Sequence, residues 1–181
     1  MDAFEKSLYV KPGSILGYAL RPFSAFHASS LSLLDSPFLK ESCGLGWGDL
    51  VTAILVCTSK REDGLDKVLL FQNSMAYRLY WRFKLLLCNI SNEMQKMDSH
   101  IETYFDYPEV WAQEGGKRSG APWYYYMVSL FWQRGVNSLD ELWDMPLVEL
   151  SCHKAILDEL KGGAEIATGL IAERERNKNG S

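Results

Sequence analysis

Histidine is scarce, with three residues in 181, and the four cysteines include no Cys-x-x-Cys pair. The chain therefore lacks the ligand spacings of a structural zinc site, and no metal or cofactor is expected. Long hydrophobic runs are missing too. The most apolar stretches, Leu50 to Cys57 and Tyr124 to Trp132, fall far short of the ~20 residues that cross a bilayer, so no membrane partner is expected. Positive charge is not in excess: 19 Lys+Arg stand against 23 Asp+Glu, a net charge of −4. Nothing in that balance favours a phosphate backbone, and no nucleic-acid partner is expected. The opening residues MDAFEKSLYV lack the basic start and apolar stretch of a secretory signal, which predicts a cytoplasmic chain with reduced thiols.

What is present is enough apolar material, 47% of residues, for one packed domain. Alternating strand patterns are scarce and helical ones common. The fold class is mostly α, a helical bundle of short antiparallel helices, with room for a small β-hairpin near the N-terminus around Lys11-Pro12-Gly13. Ser24 is placed to cap a helix running to about Leu34, which Pro37 ends. Asp49 is placed to cap a short apolar helix through Cys57, with a polar break over 58–64. From Leu65, apolar residues at 65, 68, 69, 75, 76, 79, 83, 86 and 87 predict one side of a single long helix. A second helix over 92–104 is expected to cover it. Pro108 to Ala121, with its Gly115–Gly120 run, reads as a mobile surface loop. Beyond it come a helix over 123–134 stopped by Gly135, a short one opened by Ser138 and Glu141 in capping-box spacing, and one from Pro146 to Leu160. The polar end from Glu173 is expected to fray. The whole is a single domain, 1–181, divisible into lobes 1–107 and 122–170 about the loop 108–121.

Candidate chemistry is thin. Gly44-x-Gly46-x-Gly48 has the spacing of a phosphate-binding turn, but no hydrophobic strand precedes it and Asp49 would repel the anion. Lys117 follows no phosphate-loop pattern. Lys117 and Arg118 read as solvated loop charges or a small positive tip for an acidic partner. Arg78, Arg82 and Lys84 interleave with Tyr77, Tyr80 and Trp81. That ridge can stack on single-stranded nucleic acid, but such side chains more commonly lie over a core edge. Asp140, Glu141, Asp144 and Glu149 sit at helix starts, where carboxylates serve as caps. Cys57 and Cys88 fall in apolar helical patterns and read as small core residues. Neighbouring Cys152 and His153 diverge by about 100° on a helix. No nucleophile has a histidine and an acid in a local signature, so no enzymatic activity is expected.

Aromatic residues carry the stronger signal, because ten of the 23 Phe, Trp and Tyr residues fall between Tyr104 and Trp132. The four in Trp123-Tyr124-Tyr125-Tyr126 point around the whole circumference of a helix, so at least one must be exposed or meet another surface. Two readings stand: a partner-binding surface, or a thick core wrapped by the preceding loop.

The stretch Met127 to Leu150 resembles the helix–turn–helix end of tail assembly chaperones of long-tailed bacteriophages. The matching positions are Gly135, Ser138, Glu141, Leu142, Trp143, Met145, Pro146, Glu149 and Leu150. Leu20-Arg-Pro-Phe followed by Ser36-Pro-Phe-Leu is similar to small prophage-borne structural proteins. The resemblance implies a non-enzymatic chain in the host cytoplasm that shields apolar helices of the tape-measure protein before tube assembly, with self-association into a homo-oligomer as a further expectation. Trp123, Tyr126, Phe131, Trp132, Trp143 and Met145 are the expected protein-binding residues. The alternatives are a structural virion component such as a head–tail adaptor, and a small helical binding protein of another partner.

Overall fold

The computed structural model describes residues 11, 13–40, 45–105, 110–112, 122–135, 137–160 and 164–166. Among them are eight α-helices, one 3-10 turn and two two-stranded antiparallel sheets, so the fold is mostly α with a small N-terminal hairpin. Pro12, Cys43 and Gly44, the Gly115–Gly120 run with Lys117 and Arg118, and the polar end from Glu173 lie outside the described residues.

The hairpin pairs β1 (Ser14–Ile15) with β2 (Tyr18–Ala19). Its turn is Leu16-Gly17, not Lys11-Pro12-Gly13 as the sequence predicts. Leu16 has φ 53° and Gly17 φ 79°, the two positive values a two-residue hairpin loop demands. Glycine takes that conformation freely, whereas leucine does not, which is why the turn is illegible in the sequence. The Leu16 N–H is anchored from outside by Glu93 Oε2, 3.2 Å away.

Helix α1 (Ala25–Leu33) starts after Ser24, as predicted, and Pro37–Leu39 forms the 3-10 turn that follows. Helix α2 (Trp47–Cys57) begins three residues earlier than expected. Gly46 is its cap residue, and Asp49 lies inside the first turn, where its carboxylate accepts the Gly46 N–H at 2.8 Å. Seven of its eleven side chains are buried, and it packs on α1, on the 3-10 turn, on α3 (Gly64–Asn73) and on α5 (Ile90–Tyr104). A helix apolar all round belongs at the centre of a core, and α2 occupies it.

The single long helix predicted from Leu65 is two helices. Chain geometry turns extended at Ser74, whose Oγ accepts the Tyr77 N–H at 3.3 Å and starts α4 (Met75–Leu86). Nor does α5 cover an apolar stripe of α4. It packs chiefly on α2 and β1.

In the C-terminal part, α6 (Trp123–Gln133) ends at Gly135, whose φ of 66° completes the helix stop. Then come α7 (Leu139–Asp144) and α8 (Leu147–Leu160). Helix α1 packs against both α6 and α7, the Leu147 N–H donates to the Phe23 carbonyl at 2.9 Å, and Ser24 bridges to Pro146. Three residues of the predicted loop, Val110–Ala112, are strand β3, paired antiparallel with β4 (Ala164–Ile166). The partner lies more than fifty residues downstream, and no local pattern discloses such a pairing.

The box at α7 is formed as the spacing requires: Ser138 Oγ accepts the Glu141 N–H at 3.3 Å, and Glu141 Oε2 accepts the Ser138 N–H at 3.0 Å. Ser138→Ala is expected to lower stability by about 1 kcal/mol and Ser138→Asp to preserve it, measured as urea midpoints.

Candidate functional site

Of the positions that the sequence assigns to an inward stripe, Val68 on α3 is buried, but those on α4 are exposed. On α4, Met75 is 71% exposed, Phe83 67%, Leu86 77% and the following Leu87 90%, with Leu79 also open to solvent. The residues that enter the core are Trp81 and Leu85, with Tyr77 packed at its edge. Helix α4 therefore carries two apolar stripes about half a turn apart, at 77, 81 and 85 and at 75, 79, 83 and 86. The preceding helix selects between them. Val68 and Phe71 of α3 are buried, and the bend at Ser74 brings the 77/81/85 stripe round to continue their face. Leu69 and Leu70 stay exposed on α3.

The outward row borders a shallow apolar groove of about 420 Å³ lined by Trp47, Leu79, Arg82, Phe83, Leu85, Leu86 and Ile90. Trp47 is held at its wall by Phe71, edge-on at 6.0 Å, and by the Arg82 guanidinium, 5.8 Å from its ring. The basic residues of the sequence ridge thus divide. Lys84 stands over Tyr18 at 3.9 Å and is spent on the hairpin, whose Tyr18 hydroxyl meets that of Tyr80 at 3.1 Å. Arg78 and Arg82 are exposed and have no carboxylate partner among the described residues.

The residues expected to bind a partner at the C-terminal end are not gathered into one face. Trp132 is 56% exposed, and Trp123 and Tyr126 are partly so. Trp123 leans on Phe105 at 5.9 Å, while Lys154 stands 5.9 Å from the Tyr126 ring. Trp143 is half-buried between Tyr125, at 4.9 Å, and the Arg61 guanidinium. Met145 packs at the edge of the core. Phe131 is a correction: it is buried, edge-on to His153 at 6.0 Å, and offers no surface to a partner. In Trp123-Tyr124-Tyr125-Tyr126 only Tyr124 is buried, as a run of four around a helix requires.

Cysteine placement also differs in part. Cys57 is buried and its thiol is pushed up by burial, and Cys152 is buried as well. Cys88 is exposed beyond the end of α4, a correction to its reading as a core residue. At the glycine turn the amide that would greet a phosphate already holds Asp49. Among the acids, Asp140 pairs with Arg61, Glu141 closes the α7 cap, and Glu149 lies 3.8 Å from His153. Among the described residues no three His, Cys, Asp or Glu side chains converge as a metal site, and no helix is long and apolar enough to cross a membrane.

Two histidines escaped the sequence reading. His27 Nδ1 accepts the Ser24 N–H at 3.0 Å, which leaves Nε2–H to donate to the Ser59 carbonyl at 3.3 Å. His100 Nε2–H donates to the Arg21 carbonyl at 3.1 Å. Both rings flank Phe23, at 5.8 and 6.5 Å. They hold loops to helices rather than facing a reactive cleft.

No protein-family model, no curated protein and no solved structure matches this chain.

Proposed function

We infer that the chain works by binding rather than by catalysis, as an assembly factor that shelters apolar helical segments of another protein. The observation that carries this reading is the outward apolar row of α4, Met75, Leu79, Phe83 and Leu86, continued by Leu87. A soluble domain seldom leaves so continuous a row uncovered unless another polypeptide uses it. The row follows helical spacing over about three turns, which suits an amphipathic helix laid in a groove. Within that class, a tail assembly chaperone acting on the tape-measure protein in the host cytoplasm is the specific role favoured by the likeness of Met127 to Leu150. Trp132 and Tyr126 are exposed singly on α6 and form no comparable row.

Co-expression tests the role. The soluble fraction of a co-expressed tape-measure protein is expected to rise severalfold when the chain is present. Phe83→Ser with Leu86→Ser should abolish the rise while leaving the circular dichroism unchanged, since both positions are outside the core. An unchanged soluble fraction with the intact chain defeats the chaperone role.

A further inference from the structure

We propose that the groove beside α4 is specific for an amphipathic helix with acidic flanks. The inference rests on the binding role argued above and adds the charge of the partner. Helix α4 contains no aspartate or glutamate, although the chain as a whole is acidic at −4. Its three cations straddle the apolar row: by helical geometry Arg78 and Arg82 run along one border and Lys84 lies beyond the other. Lys84 is taken up by Tyr18, but the two arginines have no carboxylate among the described residues.

Asp66 on α3, the nearest acid before Arg78, forms no ion pair with either arginine among the described residues, and the first acid on each of the helices that bring Trp47 and Ile90 to the groove is engaged. Asp49 accepts the Gly46 N–H, and Glu93 is paired with Lys96 at 2.5 Å and with the Leu16 N–H. The turn from Leu87 to Ile90 that closes the end of the groove carries no charge. A guanidinium border beside an apolar trough is complementary to a helix whose apolar stripe is edged by Glu or Asp, each carboxylate able to take a bidentate guanidinium.

Charge also argues against a second copy of the chain on this face. A two-fold axis through the middle of α4 would bring Arg82 close to its own counterpart, with no acid on the helix to separate them. The length agrees with a short helical occupant. From Met75 to Leu86 the row is about 16 Å long at ~1.5 Å per residue, three turns of a partner presenting apolar side chains at three- and four-residue steps.

Fluorescence anisotropy with three labelled amphipathic helical peptides tests this on the full chain. The peptides share one leucine stripe and differ only in flanking residues: glutamate, glutamine or lysine. The glutamate peptide is expected to bind about tenfold more tightly than the lysine peptide, from two exposed ion pairs gained in one case and two repulsions in the other. Added salt should narrow that gap. Arg78→Glu with Arg82→Glu should invert the order, and Phe83→Ser should weaken all three peptides. Equal binding of the three leaves the apolar binding role standing and overturns the acidic specificity. If none binds and sedimentation shows a monomer, both the specificity and the apolar docking role of this groove fall. A dimer that Phe83→Ser dissociates would assign the face to a second copy and overturn the proposal.

Discussion

Phe23→Ala is expected to destabilise the fold by about 3–5 kcal/mol, a large share of the ~5–15 kcal/mol that holds a domain of this size. Phe23 is fully buried, and its ring is surrounded from separate directions by Phe105 at 5.5 Å, His27 at 5.8 Å and His100 edge-on at 6.5 Å. Those neighbours belong to α1, to α5 and to the segment just after α5. They cannot move together into the void without dragging whole helices, so the cavity stays open and the cost falls at the upper end. The backbone at the same position is equally committed, because the Phe23 carbonyl accepts the Leu147 N–H and the neighbouring Ser24 bridges to Pro146. Loosening residue 23 therefore loosens the joint between the N-terminal segment and α8. Urea unfolding followed by far-UV circular dichroism provides the measurement, with Phe23→Leu expected to cost only about 1–2 kcal/mol. A loss below about 1 kcal/mol for the alanine variant would mean that the pocket collapses and that the joint is not rigid.

Legibility in the sequence followed the range of the interaction. Ser24, Ser138 with Glu141, Pro146 and Gly135 announce helix ends because each acts within about four residues of itself, so the bounds of α1, α6, α7 and α8 fall close to expectation. The orientation of α4 was hidden because the helix carries two apolar stripes. Only the bend at Ser74, itself a capping residue set inside the stripe, decides that Trp81 goes in and Phe83 stays out. That serine was the available signal, and the regularity of the apolar spacing overrode it. The same limit applies at Phe131 and Trp132, neighbours on α6 that point about 100° apart. One packs by His153 of α8 and the other faces solvent, a choice made by a helix more than a dozen residues away. The strand Val110–Ala112 and the clasp of His27 and His100 around Phe23 depend on still longer separations, which no window of the sequence contains.

That clasp makes stability strongly dependent on pH between about 6.5 and 4. Burial is the main cause that drives both imidazoles down to about 4, against partial opposition from the Ser59 carbonyl at His27 and the Arg21 carbonyl at His100. The positive charges of Arg21 and His100 lower His27 further. The unfolded chain takes up protons on these rings near pH 6.5, whereas the folded chain resists until about pH 4. Between those values the unfolded state binds more protons, so stability rises with pH. The contribution is intact above pH 6.5, drains away as pH falls to about 4 and is flat below. At about 1.4 kcal/mol per pH unit each ring accounts for roughly 3 kcal/mol, and the pair for on the order of 5 once the incomplete burial of His100 is allowed for. Glu93 acts lower in the scale. Burial works to raise its carboxyl, but the bonds from Lys96 and the Leu16 N–H outweigh this and hold it below its ordinary value, so its contribution is lost only at more acid pH. Urea midpoints taken from pH 7.5 to 4.5 should therefore fall steadily, with the steepest loss below pH 6. The imidazole resonances of His27 and His100 should keep their neutral shifts to about pH 4.5. Midpoints that stay level across that range, or rings that protonate near 6.5 in the folded chain, would show that the two histidines are solvated and that the clasp does not hold them neutral.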